Sequence, residues 1–383
     1  MQPHHELFLN LLRASLHGEA ATAAPTEAQW PQILSLAQSH KVLPLIYEAA
    51  PYPPLRQAVL QQVMQQAVKT EAFLSLYKHL QSFGFTPLVV KGIVCRSLYP
   101  KPDLRSSSDE DLLISDADFP SCHEAMCSFG MFPQSNLDAY EVPYRTEHSP
   151  LFIELHKQLF PPQSDAYGSW NRFFEGAVIR STELTIAGTS VKTLCPTDHL
   201  FYLICHAVKH FLHSGFGIRQ VCDLILFAEH YDSQIDWPQV MTSCTAIHAE
   251  IFTAALFQIG EKYLGFQIPA IFSTIQTDEI PLLDDLLESG VYGNQDLDRL
   301  HSSNITLTAA SGKKGGFITS LFPPAKQLEE RYPYLKEHPW LLPAAWCSRI
   351  LRYSKEGTNA AESVKIGQAR IALLKQYGII TKN

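Results

Sequence analysis

The stretch "VVKGIVCRSLYPKPDLRSSSDEDLLI", residues 89–114, decides how the rest of the chain is read. An apolar run in "TPLVVKG" stops at Lys91-Gly92 and reads as a buried strand, because consecutive apolar residues rich in Val suit a strand covered on both faces. "IVCRSLY" reads as a short helix ended by the Pro-rich "PKPD", and "DLLIS" as a second buried strand. The acid triplet Asp109-Glu110-Asp111 stands at the mouth of that second strand. Side chains alternate along a strand, so Asp109 and Asp111 are expected on one face and Glu110 on the other. Two adjacent carboxylates repel unless a cation joins them. Mg²⁺ prefers carboxylate oxygens and keeps positions open for substrate phosphates.

A two-metal phosphoryl site usually needs a further carboxylate. Glu154 in "LFIELHKQL" is the acid set inside a downstream apolar, strand-like segment, and His156 shares its face. Lys91-Gly92 follows a strand and opens a helix, where a glycine lets backbone approach a phosphate and the helix N-terminus offers unpaired N–H groups. Lys91 and Arg105 would add positive charge for a triphosphate. The plainer reading of the same residues is a tight turn followed by solvated acids before a strand.

Outward from this stretch, residues 1–84 read as helical, with a long Gln-rich amphipathic helix stopping at Gly84. Residues 85–190 alternate helix and strand, with "DAYEVPYRTE", "PLFIELHKQLF" and "LTIAGTSVKTL" as further strand-like pieces, and Asp116 or Asp118 starting the helix between. Residues 191–383 read as helical again, with "AASGKKGG" (309–316) as a flexible loop. The C-terminal aromatics Tyr332, Tyr334, Trp340 and Trp346 read as packing groups, with ligand stacking as the alternative.

"DHLFYLICHAVKHFLHSGFG" carries His199, His206, His210 and His213. At helical spacing they fall within roughly 60° of one another, on a helix that is otherwise apolar. Three readings are open. Pairs at i, i+4 can hold zinc; His206, Lys209 and His210 can line a cleft and meet nucleotide or acceptor; or the histidines pack between domains. Arg219 and Asp223, at i, i+4, read as a helix ion pair, and Asp198 as an N-cap.

A chain of 383 residues with 46% apolar and 18% charged residues is long enough for two or three domains of an ordinary soluble protein. A net charge of −8 disfavours a nucleic-acid partner. No run reaches the eighteen apolar residues of a membrane span, the N-terminus lacks signal-peptide character, and the eight cysteines form no CxxC, so a cytoplasmic location with reduced thiols is expected.

The 89–114 stretch also resembles the signature of a poorly characterised bacterial nucleotidyltransferase family in the polymerase-β-like superfamily: Leu-Lys-Gly, a short helix, Tyr-Pro, an Arg, then Asp-x-Asp before an apolar strand. "IELHKQL" and "HAVKHFLHSGFGIRQVCDLILF" are similar to its later segments, as are "RYPYLKEHPWLLPAAWCSRILRY" and "RIALLKQYGII". The resemblance implies an α+β fold, with a nucleotidyltransferase core built on a small mixed sheet and flanked by N- and C-terminal helical regions. It implies that Asp109 and Asp111 hold Mg²⁺ or Mn²⁺, with Glu154 as third ligand or general base. Lys91, Gly92, Arg105 and Ser108 would meet a nucleoside triphosphate such as ATP, and pyrophosphate would leave. The acceptor, a small molecule or a protein, and the oligomeric state stay open. Two departures stand out: Lys91-Gly92 replaces the superfamily's Gly-Ser at the phosphate turn, and Glu154 replaces its commoner Asp. An inactive nucleotide-binding or regulatory protein, or a protein-modifying enzyme of toxin–antitoxin type, are therefore the alternatives.

Overall fold

The strands expected on either side of the acid triplet form the centre of one sheet. In the computed structural model, which describes residues 2–213, 215–290, 306–307, 309–310, 325–328, 331–355 and 360–380, Leu88–Val90 (β1) and Glu110–Leu113 (β2) pair antiparallel. All residues of both strands are buried. The other strands are Phe132–Pro133 (β3), Glu141–Arg145 (β4), Phe152–His156 (β5), Thr182–Ile186 (β6) and Thr189–Thr193 (β7). The seven-stranded sheet runs β3-β4-β5-β2-β1-β7-β6. It is mixed: β5 lies parallel to β2 and β7 parallel to β1, while the remaining pairs are antiparallel. With the helices around it, the fold is α+β, as expected.

Four helices precede the sheet: Pro3–Leu16 (α1), Trp30–Ser39 (α2), Leu43–Ala49 (α3) and Arg56–Ser82 (α4). Three of the four carry Pro at their first or second position, which suits a first turn whose N–H groups have no intrahelical partner. The long helix α4 ends where Gly84 takes φ +85°, its N–H donating to Gln81 O at 2.9 Å. Gly92–Arg96 (α5) and Phe119–Ser128 (α6) lie within the sheet region, and Asp118 occupies the N-cap position of α6. Pro196–Leu212 (α7), Ile218–His230 (α8), Trp237–Ala246 (α9) and Glu250–Ile259 (α10) follow, with further helices to Gln376.

One apolar core joins these parts, running from Phe8 and Leu12 through Val89, Leu112 and Ile153 to Phe211, Phe252 and Tyr377. The C-terminal helix Ala360–Gln376 is fastened to α7 by Arg370, which donates to His213 O at 2.6 Å and to Phe211 O. Those are carbonyls at the C-terminal end of α7, where helix acceptors lack intrahelical partners.

Three local expectations change. "LTIAGTSVKTL" is a hairpin rather than one strand: Ala187 and Gly188 both take positive φ and form the two-residue turn that suits strand twist. Its second arm reaches Thr193 and pairs with β1, so the sheet closes three residues beyond the boundary expected at 190. Asp198 does not cap α7. It sits in the first turn, behind Cys195 at the cap, and pairs with Arg180 at 2.8 Å. Among the C-terminal aromatics, Tyr332 and Trp346 pack on the small cluster of Leu328, Leu335 and Ala345, whereas Trp340 is exposed. Residues 311–316 of the expected flexible loop lie outside the described residues. All eight cysteines are free. No described helix is long and apolar enough to cross a membrane.

Candidate active site

Because β2 and β5 are parallel and in register, Asp111 lies directly beside Glu154, and His156 follows two residues on. Alternation then aims all three at one face. One ligand atom from each of Asp111, Glu154 and His156 lies within 4.8 Å of the others. His156 Nε2 is 3.3 Å from Asp111 Oδ1 and 3.8 Å from Glu154 Oε2. β4 adds Glu141, whose Oε2 is 3.6 Å from His156 Nδ1. Asp109 lines the same cavity but stands outside this three-atom group, its carboxylate accepting from Ser108 Oγ at 2.8 Å.

The cavity in front of these acids holds about 430 Å³. Its wall brings together the residues singled out in the sequence: Lys91, Gly92, Arg105, Ser108, Asp109, Asp111, Glu154, His156, His206, Lys209 and His210. It also includes residues the sequence reading passed over, among them Tyr140, Glu141, Phe152, Tyr202 and Gln220. Tyr202 was findable, since it precedes His206 by four residues on the face of α7 that carries the polar stripe.

Lys91 is the cation nearest the carboxylates. Its Nζ sits 2.8 Å from Asp111 Oδ2 and 3.3 Å from His206 Nε2. An ammonium can only donate, so His206 Nε2 accepts from it. Burial disfavours the charge on Lys91, but Asp111 and Asp109 outweigh burial and hold it firmly protonated. Burial likewise works against ionisation of Asp111, and Lys91 and His156 overcome it, keeping that carboxyl below the usual range. Glu154 is helped too little, although Lys91 pulls in the same direction. Burial, then Asp111 and Glu141, push its carboxyl up to about 9. Two acids side by side, one of them only weakly compensated, fit a divalent cation, and the oxygen-rich set with one imidazole suits Mg²⁺ or Mn²⁺.

The α7 histidines are uncharged. Burial pushes His210 down to about 3, and burial with the neighbouring Lys91 lowers His206 well below its ordinary value. His210 Nε2 lies 3.2 Å from His206 Nε2, so these two rings interact inside the cavity wall. His213 instead meets the Tyr167 hydroxyl at 2.6 Å, and His199 is buried against β1 and β7. The four histidines share a helix face but not a common site. Among the described residues no group of three or more metal-ligating side chains includes any of them.

Three of the residues singled out have partners inside the protein. Arg105 does not face a triphosphate as a free cation: its Nε and Nη2 donate to Asp223 Oδ1 and Oδ2 at 3.0 and 2.6 Å, with both side chains buried. Asp223 is thereby taken from Arg219, which donates to Ser106 O instead. Gly92 is closely approached by a carboxylate. A Cβ at Gly92 would lie 2.0 Å from Glu110 Oε2. That oxygen accepts the Ile93 N–H at 2.6 Å, while Oε1 accepts from Arg96 Nη2 at 2.7 Å. The middle acid of the triplet, expected on the opposite face, thus satisfies the start of α5 from inside the protein.

The geometry can be set against known proteins. A family model described as "Uncharacterised nucleotidyltransferase" matches residues 26–265. No curated protein matches the chain. Among solved structures, the chain is similar to an antigenic nucleotidyltransferase-like protein from Paracoccidioides brasiliensis. That similarity has 16% identity and a TM-score of 0.32, and covers 49% of this chain and 87% of the other.

Proposed function

The chain belongs to this uncharacterised nucleotidyltransferase family, and on that premise we propose that it transfers a nucleoside monophosphate from a nucleoside triphosphate to an acceptor, with a divalent cation and release of pyrophosphate. The observation that carries this reading is the placement of Asp111 beside Glu154 on parallel strands, in a cavity also lined by Lys91 and Lys209.

Asp111, Glu154 and His156 would hold the cation, with Asp109 at the rim. When bound, it would offset charge on the phosphates and polarise the phosphorus under attack. Lys91 and Lys209 would bind the remaining phosphate charge. His206 and His210, being neutral, would offer directed hydrogen bonds rather than charge. Tyr140, Phe152 and Leu159 give the cavity an apolar side suited to a base. The acceptor's oxygen or nitrogen forms a bond to the α-phosphorus as the bond to the pyrophosphate oxygen breaks. Where Glu154 serves as base rather than as ligand, its carboxylate would take the acceptor proton.

The test is a titration of the four common nucleoside triphosphates, with Mg²⁺ and with Mn²⁺, into wild type and Asp111→Ala, paired with a pyrophosphate assay. Cation-dependent binding lost in the variant supports the reading. Binding that ignores both cation and variant sinks it.

A specific observation favours a second reading, nucleotide binding without turnover. The turn that carries Gly-Ser in the superfamily is Lys91-Gly92 here, and the Ile93 N–H beside it is already taken by Glu110. On this reading the protein binds the triphosphate and yields no pyrophosphate with any acceptor, small molecule or protein.

A further inference from the structure

A second cavity, of about 340 Å³, shares Ser107 with the first and is walled by α2, α4 and the Ser106–Ser108 loop. Lys69 reaches from α4 to donate to Ser107 O at 2.8 Å and Ser108 O at 3.2 Å. An ammonium has three N–H groups, and carbonyls take two of these. Gln66, one turn earlier, accepts the Ser107 N–H at 2.8 Å through Oε1. Its Nε2 has no partner, although the side chain is only 3% exposed. Ser106 Oγ is buried and unpartnered as well. Gln38, Lys41, Gln62 and Gln65 complete the polar lining, which contains no carboxylate although the chain carries a net charge of −8.

An unpartnered amide N–H and a lysine with a donor to spare ask for an acceptor, and an acceptor with negative charge above all. Burial disfavours the charge on Lys69, and only Glu110 and Asp109, which do not pair with it, work the other way. An anion alongside would relieve that cost.

We propose that this cavity binds a small oxyanion, a phosphate or carboxylate group on a molecule of metabolite size. Its volume is at the small end of ligand pockets, which run from about 300 Å³ upward. The ligand would sit against the same loop that carries Ser108 and Asp109 into the first cavity, without entering that cavity.

The test uses the full chain in chelator, with no nucleotide, so its failure would leave the transferase reading untouched. Inorganic phosphate and citrate are titrated separately, which distinguishes the two oxyanion sources, and hydrogen exchange is followed with each. Saturable binding of either anion is expected, with slowed exchange across residues 105–109 and α4. Lys41→Glu, at an exposed position, weakens it about tenfold, the scale of one charge-assisted contact. Lys209→Ala, in the first cavity, leaves it unchanged. The proposal is overturned if neither anion binds saturably, if Lys41→Glu has no effect, or if Lys209→Ala abolishes binding and protection falls on α7 instead.

Discussion

The backbone N–H of Lys91 donates to His199 Nε2 at 3.0 Å, joining the turn after β1 to the first half of α7. Lys91 takes φ 60° and ψ −124°, a region that residues with a Cβ seldom occupy. Its neighbours hold it there. Because His199 Nε2 accepts, Nδ1 carries the proton and donates to Thr193 Oγ1 at 3.1 Å, and the Thr193 hydroxyl donates to Val89 O at 2.6 Å. Burial pushes His199 down to about 3, so the ring keeps this neutral form. The chain of bonds fixes the backbone from which Lys91 Nζ reaches Asp111.

His199→Leu leaves the Lys91 N–H buried and unpaired, at a cost of about 1–3 kcal/mol. Urea denaturation should register that loss, and affinity for the cation and nucleotide should fall with it as Lys91 relaxes. His199→Gln can accept and donate with its amide, so it should recover most of both. Equal losses in the two variants would show that ring packing against Phe227, at 4.7 Å between centroids, matters more than the hydrogen bonds.

The Arg105–Asp223 pair should behave as a tie between the sheet and α8. Tyr99 also donates to Asp223, at 2.8 Å. Removing one partner of a buried pair strands the other, and Asp223→Ala should cost about 3–5 kcal/mol in denaturant. The double variant Arg105→Met/Asp223→Leu should cost clearly less than the two single changes added together. Additive losses would mean that the residues act independently.

Gly92→Ala forces a Cβ into Glu110 at a positive φ of 34°. Moving Glu110 releases the Ile93 N–H and Arg96 together, so a loss of at least about 2 kcal/mol is expected by denaturant titration. Adding Glu110→Asp, which shortens the arm, should recover part of it. No recovery would locate the strain in the backbone angle rather than in the contact.

These cases also mark where sequence reading stops. Period-two alternation and the apolar run were enough to place Asp111 and Glu154 on adjacent strands, and helical spacing was enough to gather the α7 histidines on one face. Neither pattern says which partner a charged group chooses when several are brought within reach. Asp223 has Arg219 one turn away, yet it pairs with Arg105, 118 residues distant, because packing of α8 against the loop after α5 presents both guanidinium donors in plane. Glu110 shows the same limit. Alternation turned it away from Asp111, but solvent does not lie on that side. The start of α5 and the buried Arg96 do. The four histidines diverge because α7 is long enough to pass the sheet, the cavity and the aromatic group around Tyr167 in turn.

Glu154 supplies a pH signature. Its carboxyl is raised from 4.5 to about 9, so the folded chain keeps a proton that the unfolded chain releases. Where the native state binds more protons, stability falls as pH rises. In chelator, the thermal midpoint of wild type should therefore carry a falling contribution between pH about 4.5 and about 9, and Glu154→Gln should lose that contribution. A divalent cation selects the ionised carboxylate, so its binding should release protons and tighten as pH rises through the same window. Calorimetry of Mn²⁺ binding in two buffers of different ionisation enthalpy reads the proton release directly. Release by wild type and not by Glu154→Gln would tie the cation to this carboxyl. Equal release by both would move the cation to other ligands in the cavity.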